Sequence, residues 1–175
     1  MTPRKNNSFA QIVFCAACLL PAAAFGQLEI SDEALTHAKE ILGSTPLIDG
    51  HNDLPWVIRE EKSGDVTAFR LRERNDFDTD IPRLREGMVG AQFWSVWIPG
   101  ETPTEEVQQR QLEQIRVALD IIDRHPDTFA LASTADDIEN IFSSGKIASM
   151  LGMEGGYAIK NSLAALQMYY GLGVR

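Results

Sequence analysis

The sequence predicts an α/β fold, namely part of a (β/α)8 TIM-like barrel with about half of its strands. Short apolar strands and helical segments alternate about four times, which is typical of parallel strands joined by crossover helices. A complete barrel takes about 250 residues, whereas this chain has 175 and its last two residues resemble the start of another strand. The chain is therefore expected to be truncated within the barrel. An open doubly wound sheet is the alternative architecture.

The first half of the chain contains two predicted strands. An acidic start after Ser31 predicts a helix over residues 31–42, and a short apolar run predicts a strand over 46–49. Residues 57–80 are polar and rich in Arg and Asp, so we expect an irregular segment with a little helix. A short helix is predicted over 81–86. The strongest strand signal follows over 89–98, where β-branched and aromatic residues are frequent.

The second half continues the same alternation. The sequence Thr-Pro-Thr-Glu at 102–105 has the form of a capping box with proline in the first turn, which predicts a helix start. Apolar residues at helical spacing continue that helix towards Pro126. The remaining predicted elements are a strand at 129–131, a helix at 135–142, a strand at 147–153, a helix at 162–170 and a strand start at 174–175.

The first 26 residues have the layout of a secretory signal peptide. Two basic residues precede an apolar run at 9–20, and a small-residue cleavage pattern ends at Gly26. The run is short for crossing about 30 Å of hydrocarbon, which disfavours a membrane anchor. We therefore divide the chain into a signal peptide (1–26) and a truncated, N-terminal part of the barrel (27–175). The protein is expected to be exported, either to the periplasm or as a secreted protein.

Charge and cysteine content limit the chemistry of the mature part. It carries 14 basic and 25 acidic residues, a balance that argues against nucleic-acid binding because phosphate must be neutralised by Lys and Arg. Both cysteines, Cys15 and Cys18, lie in the predicted signal peptide. Residues 27–175 therefore have no internal disulfide and no thiolate ligand, and any metal site there must use His and carboxylates.

Three candidate ligands follow predicted strands. His51 and Asp53 come directly after the first strand, and their spacing places both on one side of an extended backbone. Imidazole and carboxylate suit zinc, and the carboxyl end of barrel strands is where such enzymes place active sites. Glu154 follows the strand at 147–153 and precedes two glycines; a carboxylate there can bridge two metal ions. A loop histidine with turn carboxylates is the structural alternative.

The other two histidines do not follow strands. We therefore interpret His37, in the first helix, and His125, just before Pro126, as structural residues. Trp56 lies close to the candidate ligands and is a candidate pocket wall, with core packing as its alternative.

Five segments resemble the membrane (renal-type) dipeptidase family, zinc peptidases of the amidohydrolase-like barrel group. The first is LIDGHNDLPW at 47–56, which contains the His-x-Asp pattern. The others lie, in family order and spacing, at 79–95, 152–156, 161–163 and 171–175. The similarity extends over about residues 35–175.

The resemblance implies a dipeptidase in which two zinc ions share a water of lowered pKa that attacks the peptide carbonyl. By position, His51 and Asp53 correspond to ligands of one zinc, and Glu154 to the catalytic carboxylate that bridges both. Family ligands of the second zinc and the substrate-binding groups come from later strands, so no substrate-binding residue is assigned and the chain alone is expected to be inactive. Where many members have His after Glu-Gly-Gly, this chain has Tyr157.

The expected partner is a small dipeptide substrate. Homodimerisation of a full-length protein and membrane association are left open. Two alternative functions remain: another barrel metallohydrolase, such as an N-acyl amino acid deacylase, and a non-catalytic truncated product.

Overall fold

The computed structural model describes residues 30–175, so the predicted signal peptide and its cleavage site lie outside the described residues. Residues Asp32–Arg175 form one unit of strands and helices. Within the described stretch, no helix is both long and apolar enough to cross a membrane.

Helices and strands alternate along the unit. The strands are β1 (Leu47–Asn52), β2 (Val89–Ser95), β3 (Phe129–Leu131) and β4 (Ile147–Gly152). The helices are α1 (Asp32–Ser44), α2 (Leu54–Lys62), α3 (Ile81–Glu86), α4 (Val107–Arg124), α5 (Ala135–Ser143) and α6 (Leu163–Gly171). Short 3-10 turns lie at Val66–Ala68 and Gly156–Ile159.

All four strands pair in parallel, in the order β1-β2-β4-β3. The short β3 pairs only with the first half of β4, ending at Leu131 opposite Ser149. Further along the same edge of β4, Val174 forms a parallel bridge with Leu151, and the Arg175 amide donates to the Leu151 carbonyl over 3.0 Å. The last two residues therefore pair as a strand would, as the sequence predicts.

The sheet buries apolar side chains on both faces. On one face, Trp94 and Leu151 pack with Ile121 of α4 and Phe129, and the rings of Trp94 and Phe129 meet edge to face at 5.5 Å. On the other face, a smaller cluster packs against α5; its buried members are Ala91, Ala132, Ala148 and Met150. Each fully buried large side chain contributes roughly 1.5–3 kcal/mol to stability. This double coverage fixes β2 and β4, whereas β1, at the edge of the sheet, has no buried residue.

The little helix that the sequence predicts within residues 57–80 is the second part of α2 (Leu54–Lys62), which starts three residues before that segment. Pro55 stands in the first turn, where a missing N–H costs no hydrogen bond, and Leu54 and Ile58 form a short buried stripe. Ser63 ends the helix in a left-handed conformation. The stripe is only one turn long and the last turn is charged, so the apolar periodicity is weak.

The predicted capping box at 102–105 does not form. The amide of Glu106 donates to the Pro103 carbonyl over 2.9 Å in a turn, and α4 begins only at Val107. The Thr102 hydroxyl is buried and has no hydrogen-bond partner among the described residues. By contrast, the cap of α5 forms in full, with reciprocal bonds between Thr134 and Asp137.

Candidate functional site

The first two candidate ligands lie at the end of β1. Nε2 of His51 lies 3.1 Å from Oδ1 of Asp53. Asp53 occupies the N-cap position of α2, yet its side chain makes no capping bond. The His51 amide in turn donates to the Asp49 carboxylate over 3.1 Å, which tightens the backbone at the strand end. The local fold therefore turns the Asp53 carboxylate towards the imidazole rather than towards the helix.

Glu154 reaches the same place from the other side of β2. Its Oε2 lies 3.8 Å from Nδ1 of His51, so both ring nitrogens of His51 face a carboxylate. The side chains of His51, Asp53 and Glu154 are 51, 54 and 62% exposed, which leaves all three reachable by a ligand from solvent. The structure thus brings together the three residues that the sequence singles out.

Two cavities flank His51. The first, of about 280 Å³, is called here the strand-end cavity; it is lined by Gly50, His51, Phe93, Ser95, Gly152, Met153 and Glu154. The second, of about 250 Å³, lies between Asp53 and the loop that carries Phe77 and Thr79. A larger cavity of about 580 Å³, near Arg85 and Lys146, lies at the opposite end of the strands and contains no histidine or carboxylate. Of these three cavities, the two that contain a histidine and carboxylates therefore lie at the carboxyl ends of the strands.

Side-chain amides support the end of β1. The side-chain amide of Asn52 donates to Oγ1 of Thr79 over 3.0 Å, and its carbonyl accepts the Leu54 amide over 3.0 Å. Gln92 of β2 is fully buried, and its amide donates to the Asp49 carbonyl of β1 over 3.4 Å. These bonds tie the segment that carries His51 to β2 and to the following loop. Sequence reasoning missed all three polar residues, because their partners are distant in the chain.

An aromatic ring packs over the turn that follows Glu154. Gly155 has a φ of +82°, and a Cβ at this position would lie 2.4 Å from Cε1 of Tyr157. The Tyr157 hydroxyl donates to the Ile98 carbonyl beyond the end of β2. Burial raises the pKa of Tyr157, as do the nearby charges of Glu101 and Glu154, so the phenol remains a neutral donor at ordinary pH. Tyr157 therefore holds the backbone that presents Glu154.

The remaining sequence candidates lie elsewhere. His37 is exposed on α1, with Nδ1 3.9 Å from Glu40. His125 is buried at the end of α4, where Nδ1 donates to the Ile121 carbonyl over 2.9 Å and burial lowers its pKa. Trp56 packs edge to face on Trp97 at 4.9 Å and lines neither of the two cavities beside His51.

The sequence matches the membrane dipeptidase family, peptidase family M19, over residues 35–175. The chain belongs to this family. The resemblance inferred from the sequence motifs is therefore confirmed.

Two curated dipeptidases match most of the chain. It is 41% identical over 149 residues to dipeptidase ataJ of Aspergillus terreus, covering 81% of this chain and 36% of that protein. It is 38% identical over 138 residues to dipeptidase 3 of Mus musculus, covering 79% of this chain and 27% of that protein. The chain thus spans about a third of the length of the curated relatives that it matches.

Solved structures share the fold. A metallopeptidase of Rhodobacter sphaeroides, crystallised with a phosphinate mimic of the dipeptide L-Ala-D-Ala, superposes with a TM-score of 0.65 at 23% identity, over 74% of this chain and 44% of that one. The probable dipeptidase PvdM of Pseudomonas aeruginosa gives a TM-score of 0.66 at 16% identity, over 83% and 37% of the two chains. The predicted fold, a partial barrel with about half of the strands, is confirmed.

The donor types at this M19 site suit a divalent metal ion. One imidazole and two carboxylates are ligands that zinc accepts, and their exposure leaves room for further ligands. His51 lies 3.1 Å from the Asp53 carboxylate and 3.8 Å from the Glu154 carboxylate, which are distances of a hydrogen bond and an ion pair. Over residues 30–175, no three His, Cys, Asp or Glu side chains are arranged around one common point as metal ligands. Coordination would therefore require His51 to turn one nitrogen from a carboxylate to the ion.

Proposed function

We propose that this chain carries part of the active site of a zinc-dependent dipeptidase, an enzyme that hydrolyses the peptide bond of a dipeptide. The observation that carries the proposal is the convergence of His51, Asp53 and Glu154 at the carboxyl ends of the strands in a member of the dipeptidase family. Both curated relatives described above are dipeptidases, which favours this function over deacylation of N-acyl amino acids.

Each of the three side chains has a proposed role. His51 and Asp53 would hold one zinc ion, and Glu154 would bridge that ion and a second one, as the family pattern implies. When bound at this position, zinc supplies Lewis-acid polarisation of a carbonyl and activation of a water for attack. The exposed carboxylate of Glu154 is also placed to accept a proton from a group in the strand-end cavity.

The two cavities beside His51 support a small substrate. With volumes of about 280 and 250 Å³, each is smaller than a typical site for a drug-sized ligand. A molecule that spans the three side chains would meet one cavity on either side of His51. This arrangement suits a dipeptide, whose two residues flank the bond that is cleaved.

Export is a separate proposal. Basic residues, an apolar run and small residues before Gln27 support removal of a signal peptide. The exported protein would then act on dipeptides outside the cytoplasm.

Hydrolysis of a dipeptide by a full-length protein that contains this chain tests the proposed function. With zinc supplied, we expect this protein to hydrolyse alanyl-alanine, as measured by the release of free alanine. Glu154→Gln, which keeps the size of the side chain but removes its charge, is expected to reduce kcat at least 100-fold. Turnover at the wild-type rate by the Glu154→Gln protein would contradict the role of this carboxylate.

A further inference from the structure

Ser95 combines deep burial with an unpaired hydroxyl. It is the last residue of β2 and is 2% exposed. Its Oγ has no hydrogen-bond partner among the described residues. Four other side chains each have one buried polar atom without such a partner: Trp94, Thr102, Gln111 and Gln114. Of the five, Ser95 is the one that lines the strand-end cavity beside His51 and Glu154.

Strand pairing places Ser95 between the candidate ligands. β2 lies between β1, which carries His51, and β4, which leads to Glu154. Ser95 pairs with Gly152, two residues before Glu154. Residues two apart in an extended chain lie on the same side, and Gly152 has no side chain to cover its neighbour. Ser95 therefore lies on the face of the sheet that leads to Glu154, and both residues line the strand-end cavity.

A buried hydroxyl without a partner is costly, because it has lost its bonds to water and gained none in return. Such a group beside a candidate site is available to a side chain that changes its orientation when a ligand binds. Glu154 is the fitting acceptor, since each carboxylate oxygen can accept more than one bond. His51 is less suitable, because both of its nitrogens already face carboxylates.

We propose that Ser95 is a positioning residue of the metal centre, whose hydroxyl donates a hydrogen bond to the Glu154 carboxylate when that side chain turns into the strand-end cavity to bind an ion. The inference rests on the proposed function, since it assumes that Glu154 is a metal ligand. A second bond on the carboxylate would fix its orientation and so raise metal affinity; removal of such outer partners typically weakens metal binding 10- to 100-fold.

The proposal predicts two effects of opposite sign. Ser95→Ala removes an unsatisfied hydroxyl from the metal-free protein, so its unfolding midpoint should rise or stay unchanged. The same substitution should weaken zinc binding about tenfold or more. A serine with a merely structural role would lower the midpoint and would leave metal affinity unaffected in the folded protein.

The test uses the full chain, freed of metal by a chelator, and titrates zinc chloride by calorimetry alongside thermal unfolding of the metal-free form. Ser149→Ala is the matched control, because Ser149 is equally buried on the neighbouring strand, bonds to the Ile147 carbonyl at 3.5 Å and lies on the opposite face of β4. We expect the control to bind zinc within twofold of the wild type. In a Glu154→Gln background, Ser95→Ala should add no further loss of affinity.

Equal zinc affinity in the wild type and Ser95→Ala would overturn the role of Ser95 while leaving the metal centre intact. Additive losses in the double variant would also overturn it, because Ser95 would then act on a group other than Glu154. Absence of zinc uptake by the wild-type chain would overturn the proposed metal centre and, with it, the role of Ser95.

Discussion

Nδ1 of His51 lies 3.8 Å from Oε2 of Glu154, although the two residues lie at the ends of strands that do not pair with each other. β2 lies between those strands; it pairs regularly with β4, whereas its pairing with β1 shifts register between Asp49 and Asn52, next to His51. The position of Glu154 further depends on the turn at Gly155, and the first prediction tests that turn.

Gly155→Ala should destabilise the protein and displace Glu154. The position has a φ of +82°, and the added Cβ would meet the ring of Tyr157 at 2.4 Å. We expect a loss of about 1–3 kcal/mol in the free energy of unfolding, together with weaker zinc binding. Denaturant unfolding and zinc titration measure the two effects.

Gly145→Ala is the control for Gly155→Ala. Its φ is +79°, but nothing lies within 4 Å of the added Cβ. The substitution therefore strains the backbone without a steric clash with a neighbouring side chain. Equal destabilisation in both variants, with unchanged zinc affinity, would show that Tyr157 does not hold the turn.

Asp80 should make the stability of the protein depend on pH in the acidic range. Its carboxylate is fully buried; burial by itself would raise its pKa, but bonds from the Arg83 and Asn75 amides and the Arg83 guanidinium outweigh this and lower it. Because the folded-state pKa lies below the unfolded value of about 3.9, the stabilisation is present above that value. It is lost as the pH falls through the folded-state pKa.

Comparison with Asp80→Asn isolates this contribution, because Asn can still cap α3. At pH 7 we expect the variant to be less stable by about 1.5–3 kcal/mol, since the bonds to a charged acceptor are weakened. The difference should shrink as the pH falls from 5 towards 2, as followed by urea unfolding. A difference that stays constant over this range would contradict the assignment.

Much of the fold follows from local signals. The strands are short apolar runs, and α5 begins with a capping box formed by Thr134 and Asp137, which are three residues apart. Local sequence signals are insufficient where tertiary contacts determine the structure. The start of α2 forms because Leu54 and Ile58 become buried. Thr102 lies in a buried turn instead of capping a helix.

The same division applies to the site. His51, Asp53 and Glu154 are recognisable because each lies at or just beyond the end of a strand, and strand ends meet at one edge of a parallel sheet. Ser95 and Tyr157 could not be predicted in this way. Their significance depends on the pairing of β2 with β4 and on the path of the chain beyond Glu154, which no local pattern encodes.

Export should expose a new N-terminus. If the signal peptide is removed after Gly26, N-terminal sequencing of the mature exported protein should begin at Gln27. Ala24→Arg, which disrupts the small-residue cleavage pattern, should slow processing. An intact Met1 on the exported protein would contradict cleavage.

The chain by itself should bind metal without efficient catalysis. Among residues 30–175, the candidate ligands are His51, Asp53 and Glu154, enough for one catalytic-type ion with three protein ligands. A second ion and substrate-binding groups would be needed for a two-metal mechanism. We therefore expect about one zinc per chain and negligible release of alanine from alanyl-alanine. Turnover at rates typical of enzymes, above about 1 per second, would contradict this expectation.

The most direct test of the account is the zinc content of the chain with and without His51. Metal-free wild-type protein, equilibrated with zinc and dialysed, should retain about one ion by elemental analysis. His51→Ala should retain at least tenfold less at the same free zinc concentration, while His37→Ala, which alters an exposed histidine on α1, should match the wild type. Equal zinc retention by the wild type and the folded His51→Ala protein would contradict the proposed metal centre.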